Sequence, residues 1–222
     1  MISIIIPTKN EAAHISQTLT SLSYWQQQGH ELIVVDGGST DNTLILANEK
    51  ADIVIKSEPG RARQMNAGAA LAKGQLLLFL HADTLLPQNA FELLSAIRQQ
   101  PMTWGRFDVE LVGQSKWLPV VASMINMRSR LSGIATGDQA LFFSRDLFDA
   151  LNGFADQPLM EDIEICRRAK LMVKPICFKS RVRTSARRWD NRGVWPTIFL
   201  MWRLRWRYWL GASPEKLAKD YR

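Results

Sequence analysis

Three polar clusters in the first half of the chain each follow directly on an apolar run. They are Pro7-Thr8-Lys9-Asn10-Glu11, Asp36-Gly37-Gly38-Ser39-Thr40-Asp41 and His81-Ala82-Asp83-Thr84. Polar side chains at the carboxyl ends of parallel strands are where ligands bind in an open sheet. An acid after a strand is more often a helix cap, so one cluster alone would indicate little. Three in succession predict a common binding site.

A further pair of acids, Glu161-Asp162, opens a predicted helix over residues 160–170. A carboxylate there could act in acid–base catalysis. Two acids in the first turn of a helix are also normal without catalysis, because they face the positive end of the helix dipole. Spacing alone leaves both interpretations open. It also leaves open whether Gly137-Asp138-Gln139 lines a pocket or only turns into a strand over 140–143.

The first hundred residues, which must position the three clusters, alternate strand with helix. Apolar runs predict strands over 2–6, 31–35, 53–57 and 75–80, and apolar spacings of three and four predict helices over 11–27, 43–51, 62–72 and 87–99, with Asn10 as a cap. Strands with few polar residues that alternate with helices form a parallel sheet covered on both faces. Ligands bind beyond the carboxyl ends of such strands, so Thr8, Asp36 and Asp83 are expected at one edge.

The second half of the chain is less regular. Strands are predicted over 107–111, 140–143, 173–178 and 181–184, and helices over 118–131, 160–170 and 194–210, with a last helix opened by Ser213-Pro214-Glu215. No stretch of 18 uncharged apolar residues occurs, so no membrane-spanning helix is expected.

Composition and missing motifs weigh against several classes of protein. The 222 residues are 46% hydrophobic and 22% charged, which is ordinary for a globular protein and excludes a disordered chain. Two cysteines cannot form a disulfide framework or a four-thiolate zinc site, and the opening run predicts a strand and not a signal peptide, so a cytoplasmic location is expected. No G-x-G-x-x-G follows a strand, and G-x-x-x-x-G-K-[ST] and G-x-S-x-G are absent, which disfavours dinucleotide-binding, P-loop and α/β-hydrolase proteins.

Positive charge is concentrated at the C-terminal end. Residues 1–166 hold 12 Lys and Arg against 18 Asp and Glu, whereas residues 167–222 hold 16 against 3. The helix predicted over 194–210 places aromatic residues on one face, with arginines interleaved: Trp195, Phe199, Trp202, Trp206 and Trp209, with Arg203, Arg205 and Arg207. This face could pack on the rest of the chain, lie in a membrane interface with its arginines on headgroup phosphates, or associate with itself. Nucleic acid is disfavoured, because the first 166 residues are acidic and carry no nucleic-acid motif.

Four segments, in this order along the chain, resemble the motifs of family 2 glycosyltransferases. They are Ser3-Ile4-Ile5-Ile6-Pro7-Thr8-Lys9-Asn10-Glu11, Val34-Val35-Asp36-Gly37-Gly38-Ser39-Thr40-Asp41-Asn42-Thr43, Gly60-Arg61-Ala62-Arg63-Gln64-Met65-Asn66-Ala67-Gly68 and Phe79-Leu80-His81-Ala82-Asp83-Thr84. Glu161-Asp162 at the head of a helix completes the pattern, so the resemblance covers residues 1–170.

The resemblance implies a GT-A fold, in which a mostly parallel, Rossmann-like α/β sheet is flanked by helices and followed by C-terminal helices. It implies a glycosyltransferase domain over 1–190, with a nucleotide-sugar half over 1–100 and an acceptor half over 101–190, and then a basic aromatic tail over 191–222. The implied reaction moves one sugar from a UDP- or GDP-sugar to a hydroxyl acceptor, with Mn²⁺ or Mg²⁺ and with inversion at the anomeric carbon. A lipid-linked or apolar acceptor at the inner membrane face would suit the tail.

The resemblance also assigns residues to the donor site and to catalysis. The implied donor-site residues are Pro7, Thr8, Glu11, Asp36, Gly37, Arg61, Ala82 and Asp83. Asp83 stands where the family has the last acid of its D-x-D motif and would bind the metal. His81 replaces the first acid, so it is either a second metal ligand or a neutral partner of the nucleotide. Asp162 is the implied general base, with Glu161 beside it.

The acceptor side is expected to include Asp138, Gln139, Arg188 and Trp189. The segment Ser185-Ala186-Arg187-Arg188-Trp189 resembles the Q-x-x-R-W element of processive family members, but Ser185 replaces the glutamine. That departure argues against a processive polysaccharide synthase.

Two other classes stay open at this point. A nucleotidyltransferase also binds a nucleoside phosphate on an α/β sheet, but it would need a glycine-rich, lysine-bearing segment near the first strand, and residues 7–11 contain no glycine. A non-catalytic membrane-binding module would use the tail alone, with a vestigial pocket.

Overall fold

A computed structural model describes residues 1–221, which build an eight-stranded mixed sheet with helices packed on it. The strands are β1 (Ile2–Thr8), β2 (Glu31–Asp36), β3 (Ile53–Lys56), β4 (Leu76–Phe79), β5 (Thr84–Leu85), β6 (Trp104–Val112), β7 (Phe142–Ser144) and β8 (Ile176–Ser185). Their order across the sheet is β3-β2-β1-β4-β7-β6-β8-β5.

The half of the sheet built from the N-terminal residues is parallel, as the sequence predicts. β1 pairs with β2 and with β4, and β2 pairs with β3, all in parallel register. Successive side chains of a strand point to opposite faces. Accordingly, Ile4 and Ile6 of β1 join one buried apolar cluster and Ile5 joins the other. Because both faces are covered, the centre of β1 is apolar throughout.

The other half of the sheet is mixed. β7 is antiparallel to β4 and to β6, β6 is parallel to β8, and β5 is antiparallel to β8. The sequence predicts two strands over 173–178 and 181–184, whereas the structure has the single strand β8. Phe107 pairs with Phe178 but Asp108 pairs with Arg181, so a bulge falls between the two predicted strands without ending the pairing.

The helices follow in chain order. They are α1 (Ile15–Ser21), α2 (Ser23–Gln27), α3 (Thr43–Asn48), α4 (Arg61–Leu71), α5 (Ala90–Ile97), α6 (Leu118–Ser132), α7 (Arg145–Ala150), α8 (Glu161–Met172), α9 (Arg187–Arg192), α10 (Val194–Trp209) and α11 (Pro214–Tyr221), with a 3₁₀ turn over Gly137–Gln139. β5, α7 and α9 are short elements that the sequence does not predict.

The helix predicted over 11–27 is wrong in two respects. The chain turns at Leu22 and divides this segment into α1 and α2. Asn10 is not a cap, since α1 begins only after His14. Asn10 has a left-handed φ of +56°, and its side-chain oxygen accepts a hydrogen bond from the backbone N–H of Thr40 at 2.8 Å. Asn10 therefore organises the polar loops and not the helix.

The C-terminal helices are anchored by a few buried residues. Leu204 of α10 and Leu217 of α11 are fully buried in one apolar cluster, and Val194 joins the other. Within residues 1–221, no helix combines the length and the apolar character needed to cross a bilayer.

Candidate active site

The carboxyl ends of β1 and β2 place Thr8 beside Asp36. Asp36 is fully buried, and its Oδ2 accepts hydrogen bonds from the backbone N–H groups of Gly38 and Ser39, each at 2.9 Å. The hydroxyl of Thr8 lies 3.4 Å from Asp36 Oδ1. Much of the hydrogen-bonding capacity of this carboxylate therefore goes into fixing the loop after β2.

Gln64 of α4 holds the same two strand ends together through two hydrogen bonds. Its Nε2 donates to the carbonyl oxygens of Thr8 and Val35, each at 2.8 Å. A Cβ on Gly37 would lie 2.9 Å from the Gln64 amide, so glycine leaves room for this clamp. Sequence reasoning missed Gln64 as a site residue. Its only signal is a large amide among the small residues of α4.

Arg187 of α9 joins two predicted donor-site acids. Its guanidinium contacts Glu11 Oε1 and lies 3.5 Å from Asp83 Oδ2. The two acidic side chains are 15% and 14% exposed, whereas Arg187 is 47% exposed. The hydrogen bond to Glu11 raises the pKa of Arg187, so this residue is a fixed cation between the two acids. Sequence reasoning selected the neighbouring Arg188 and missed Arg187.

His81 is neutral at physiological pH. Burial, together with the nearby Arg61 and Arg187, lowers its pKa to about 3. Its Nε2 is buried with no hydrogen-bond partner among the described residues, and a Cβ on Gly137 would lie 2.7 Å from it. A neutral imidazole with a free nitrogen is competent to ligate a metal.

The residues that could hold a divalent cation are few. Within residues 1–221, no group of three or more His, Cys, Asp or Glu side chains is placed to hold a metal. Mg²⁺ is commonly held by one or two carboxylates together with substrate phosphates and water. Asp83, with the unpartnered nitrogen of His81 nearby in sequence, fits a cation that arrives with a diphosphate. The donor set does not fit a resident metal cage.

Asp162 lies on the first turn of α8 and is held by two backbone donors. Its Oδ2 accepts the N–H of Gly137 at 3.0 Å and its Oδ1 accepts the N–H of Ile163 at 2.7 Å. Burial, and secondly the negative charge of Glu161, raise the pKa of Asp162 to about 7, although both N–H groups and Arg61 act in the opposite direction. A carboxylate with this pKa can accept a proton near neutral pH.

A small pocket brings the two groups of predicted residues together. It lies between the end of β1, the end of β4 and the first turns of α4 and α8, and its lining residues are Pro7, Arg61, Met65, Phe79, Leu80, His81, Gly137, Leu141, Phe154, Glu161 and Asp162. Glu161 is 3% exposed and its Oε1 lies 3.3 Å from Arg61 Nη1. Met160, directly before the pair of acids, has a left-handed φ of +68°, the kind of strained backbone that clusters at functional sites.

The residues expected on the acceptor side are only partly brought to this pocket. Asp138 lies in the turn that carries Gly137, and burial raises its pKa. The negative charges of Asp138 and Asp162 oppose the burial that lowers the pKa of Arg128 on α6. Two nitrogens of this guanidinium group are buried with no hydrogen-bond partner among residues 1–221. Sequence reasoning missed Arg128, because a single arginine in an amphipathic helix gives no signal.

Gln139 is placed differently from the expectation. It is fully buried, and its Nε2 donates to Ser129 Oγ at 3.1 Å and to the carbonyl oxygen of Phe107 at 3.3 Å. Its side chain therefore holds β6 and α6 together and does not line the acceptor side.

Three of the expected site residues lie away from the pocket that holds Asp162, namely Arg188, Trp189 and Ala82. The guanidinium of Arg188 stacks 3.8 Å above the ring of Tyr221, and Trp189 packs half-buried against an apolar cluster. Ala82 is buried, and its carbonyl oxygen accepts a hydrogen bond from the Thr18 hydroxyl at 2.7 Å. None of the three lines the pocket that holds Asp162.

Comparison with known proteins identifies relatives for this architecture. The family described as "Glycosyl transferase family 2" matches residues 3–147. A PGL/p-HBAD biosynthesis glycosyltransferase of Mycobacterium bovis is 44% identical over 93 residues, which cover 39% of this chain and 36% of that protein. An uncharacterized glycosyltransferase of Mycobacterium tuberculosis is 30% identical over 190 residues, which cover 80% of this chain and 72% of that protein. The chain thus spans 36% of the length of the first of these relatives.

Solved structures share the fold at low sequence identity. TarS 1-349 of S. aureus in complex with UDP has a TM-score of 0.66 and 21% identity, with 83% of this chain and 60% of that chain covered. The mannosyltransferase PcManGT of Pyrobaculum calidifontis, in complex with GDP-Man and Mn²⁺, has a TM-score of 0.65 and 20% identity, with 99% and 68% covered. These likenesses confirm the predicted GT-A fold.

The family match covers more than half of the chain, including both strand-end loops and the segment that carries Asp83. The chain therefore belongs to glycosyl transferase family 2, a family of enzymes, and has the GT-A fold.

Proposed function

We propose that the protein transfers one sugar from a nucleotide-sugar donor to a hydroxyl acceptor, with Asp162 as the general base. The observation that carries this proposal is the position of Asp162 on the pocket with its pKa raised to about 7. Membership of glycosyl transferase family 2 favours this reaction over nucleotidyl transfer and over a non-catalytic module.

In the proposed reaction the acceptor oxygen attacks the anomeric carbon of the donor. A new glycosidic C–O bond forms while the bond from that carbon to the diphosphate oxygen breaks, and the acceptor proton passes to Asp162. The N–H groups of Gly137 and Ile163 orient the carboxylate for this transfer. A direct displacement of this kind inverts the anomeric centre, and inversion is part of the proposal.

The donor would lie across the ends of β1, β2 and β4. We assign its nucleotide and sugar to Pro7, Thr8, Glu11, Asp36, Gly37, Arg61, Ala82 and Asp83, and a UDP- or GDP-sugar is favoured because fold neighbours are complexed with UDP and with GDP-Man. Arg61 and Arg187 would offset the negative charge of the diphosphate.

A divalent cation, Mn²⁺ or Mg²⁺, would be held by Asp83 with His81 as a second candidate. When bound, such an ion offsets the charge that develops on the departing diphosphate. The neutral state of His81 and its unpartnered Nε2 support this assignment. The Mn²⁺ in the PcManGT complex supports the choice of ion.

The proposed acceptor is an apolar or lipid-linked hydroxyl compound, used at the inner face of the membrane in the cytoplasm. Of the residues expected on the acceptor side, Asp138 directly follows Gly137, which lines the pocket. The exposed aromatic rings of α10 support an apolar partner. The proposed division is a transferase domain over 1–190 followed by a tail over 191–222.

The proposal is tested by nucleotide binding and donor hydrolysis, since water can replace an unidentified acceptor. Calorimetry with UDP and GDP, with and without Mn²⁺, should show one diphosphate that binds more tightly with the ion, and Asp83→Ala should remove that gain. Asp162→Asn should bind the diphosphate normally but release it from the sugar nucleotide at least about 100-fold more slowly.

The matched control for the hydrolysis assay is Asp156→Asn, which changes an exposed acid outside the pocket. It should leave both binding and hydrolysis unchanged. If neither UDP nor GDP binds, with or without Mn²⁺, the proposed donor site is overturned, and full activity in Asp162→Asn would overturn the proposed base.

A further inference from the structure

The aromatic rings of α10 lie on the outside of the molecule. Their exposed fractions are 55% for Trp195, 65% for Phe199, 58% for Trp202, 61% for Trp206 and 71% for Trp209. The opposite face of α10 attaches the helix through the fully buried Leu204. Of the three alternatives that the sequence leaves open for this face, packing on the rest of the chain is therefore excluded. Apolar surface of this extent marks an interaction site.

A second apolar stripe lies on α6, and the sequence pattern does not reveal it. Its members follow one another at spacings of three and four along the helix and are 40–82% exposed: Trp117, Val120, Met124, Met127 and Leu131. The buried face of the same helix, with Leu118 and Val121, packs on the sheet. The ring centroids of Trp117 and Trp195 are 5.8 Å apart, so the two stripes meet at these two residues. We call the two stripes together the apolar face.

Basic groups accompany this apolar face. Arg203 and Arg205 line a groove with Phe199, Trp202, Trp206 and Trp209. Neither arginine forms an ion pair within residues 1–221, whereas Arg207 is paired with Asp220. A partner must therefore supply apolar surface and negative charge at the same time.

An anionic bilayer supplies both, with phosphates directly above an acyl region. A second copy of this chain fits less well, because a two-fold contact through α10 would place Arg203 and Arg205 close to their own copies. We propose that the apolar face docks on an anionic phospholipid bilayer, with the rings at the acyl boundary and both arginines on headgroup phosphates.

Docking would place the acceptor side next to the lipid. Arg128 is on the same helix as the exposed Met124 and Met127. Its guanidinium group interacts electrostatically with the carboxylates of Asp138 and Asp162. A single helix, α6, would therefore lie between the membrane and the proposed acceptor side. This consequence rests on the proposed function, but the docking itself does not.

The test is co-sedimentation of the full chain with vesicles of phosphatidylcholine alone or mixed with phosphatidylserine. Wild type should bind the mixed vesicles, and binding should fall as salt is raised. Trp202→Ser/Trp206→Ser and Met124→Ser/Met127→Ser should each weaken the partition by about tenfold. Arg203→Gln/Arg205→Gln should weaken binding to the mixed vesicles and abolish most of its salt dependence.

The control variant is Ile45→Ser, which removes an equally exposed apolar residue from α3. It should bind vesicles as wild type does, and Asp162→Asn should also bind normally, which separates docking from catalysis. Absence of binding to the mixed vesicles would overturn the proposal. It would also be overturned if Ile45→Ser lost as much vesicle binding as the variants of the apolar face. A concentration-dependent dimer that Trp202→Ser/Trp206→Ser dissolves, without vesicle binding, would instead assign the face to a second copy.

Discussion

Arg61 Nη1 lies 3.3 Å from Oε1 of Glu161, and this contact links the proposed donor side of the site to the acid pair on α8. Glu161 is almost fully buried and is adjacent to Asp162. Its negative charge raises the pKa of Asp162, whereas Arg61 lowers it. Burial is the largest cause of the raised pKa, and the charges of the ion pair adjust further the pH at which the proposed base is available.

Substitutions of the two partners should move the pH profile in opposite directions. The proposed base works as the carboxylate, so wild-type donor hydrolysis should rise with pH through an inflection near the pKa of Asp162, about 7. Glu161→Gln removes a negative neighbour and should lower the inflection. Arg61→Gln removes a positive neighbour and should raise it. The rates are measured at saturating donor, so that weaker binding in Arg61→Gln does not distort the profile. Shifts of the same sign in both variants would contradict this electrostatic account.

Asp162→Asn should stabilise the protein more at high pH than at low pH. The pKa of Asp162 is about 7 when folded and near 3.8 when unfolded, so the folded state binds the proton more tightly. Stability contributed by the wild-type carboxyl is consequently lost as pH rises between these values. The variant should melt several degrees above wild type at pH 8, and the difference should shrink towards pH 4. Asp156→Asn serves as the exposed control. If the gain in melting temperature of Asp162→Asn does not depend on pH, the burial of a charged carboxylate is not its cause.

Arg187→Gln should increase the affinity of the free protein for Mn²⁺. Arg187 is a cation 3.5 Å from Asp83 and in contact with Glu11, so it competes with a metal ion for these acids. Its removal should tighten Mn²⁺ binding by on the order of tenfold in calorimetry without nucleotide. The same variant should bind UDP or GDP more weakly in metal-free buffer. Arg183→Gln, which changes an exposed pair with Glu110, is the control and should leave both affinities unchanged.

The parts of the site that the sequence predicts are those carried by apolar parallel strands. Once the runs around Ile5 and Val34 are assigned to neighbouring strands, Thr8 and Asp36 must end at the same edge. Arg187 is different, because it reaches Glu11 only through the pairing of β8 with β6 and β5, which no local pattern reveals. The sequence does not predict the burial of Gln139, because a polar residue in a loop is usually exposed. In this fold three buried acceptors satisfy the side-chain amide of Gln139.

Periodicity likewise predicts which residues share a face but not what that face meets. The aromatic spacing of α10 is the same whether the rings are buried or exposed. The burial of Val194, Thr197 and Leu204 on the other side of the helix decides that the rings point outward. The stripe on α6 is hidden in the sequence, because methionine and valine at those positions also suit a buried helix.

Gln64 and Gly37 should show strong energetic coupling. Gln64→Ala removes two hydrogen bonds of 2.8 Å to buried strand ends and should lower the free energy of unfolding by about 1–3 kcal/mol. Gly37→Ala places a methyl group 2.9 Å from the Gln64 amide and should also destabilise the protein.

In the double variant the clashing amide is gone, so the added methyl should cost little. The sum of the two single effects should therefore exceed the effect of the pair, as measured by urea denaturation of all four proteins. Ser57→Ala after β3 is a control, because the Ser57 hydroxyl donates to the carbonyl oxygen of Glu58 and not to the clamp, and its effect should add to that of Gln64→Ala. Simple additivity between Gly37→Ala and Gln64→Ala would mean that contact with the Gln64 amide is not the reason why position 37 is a glycine.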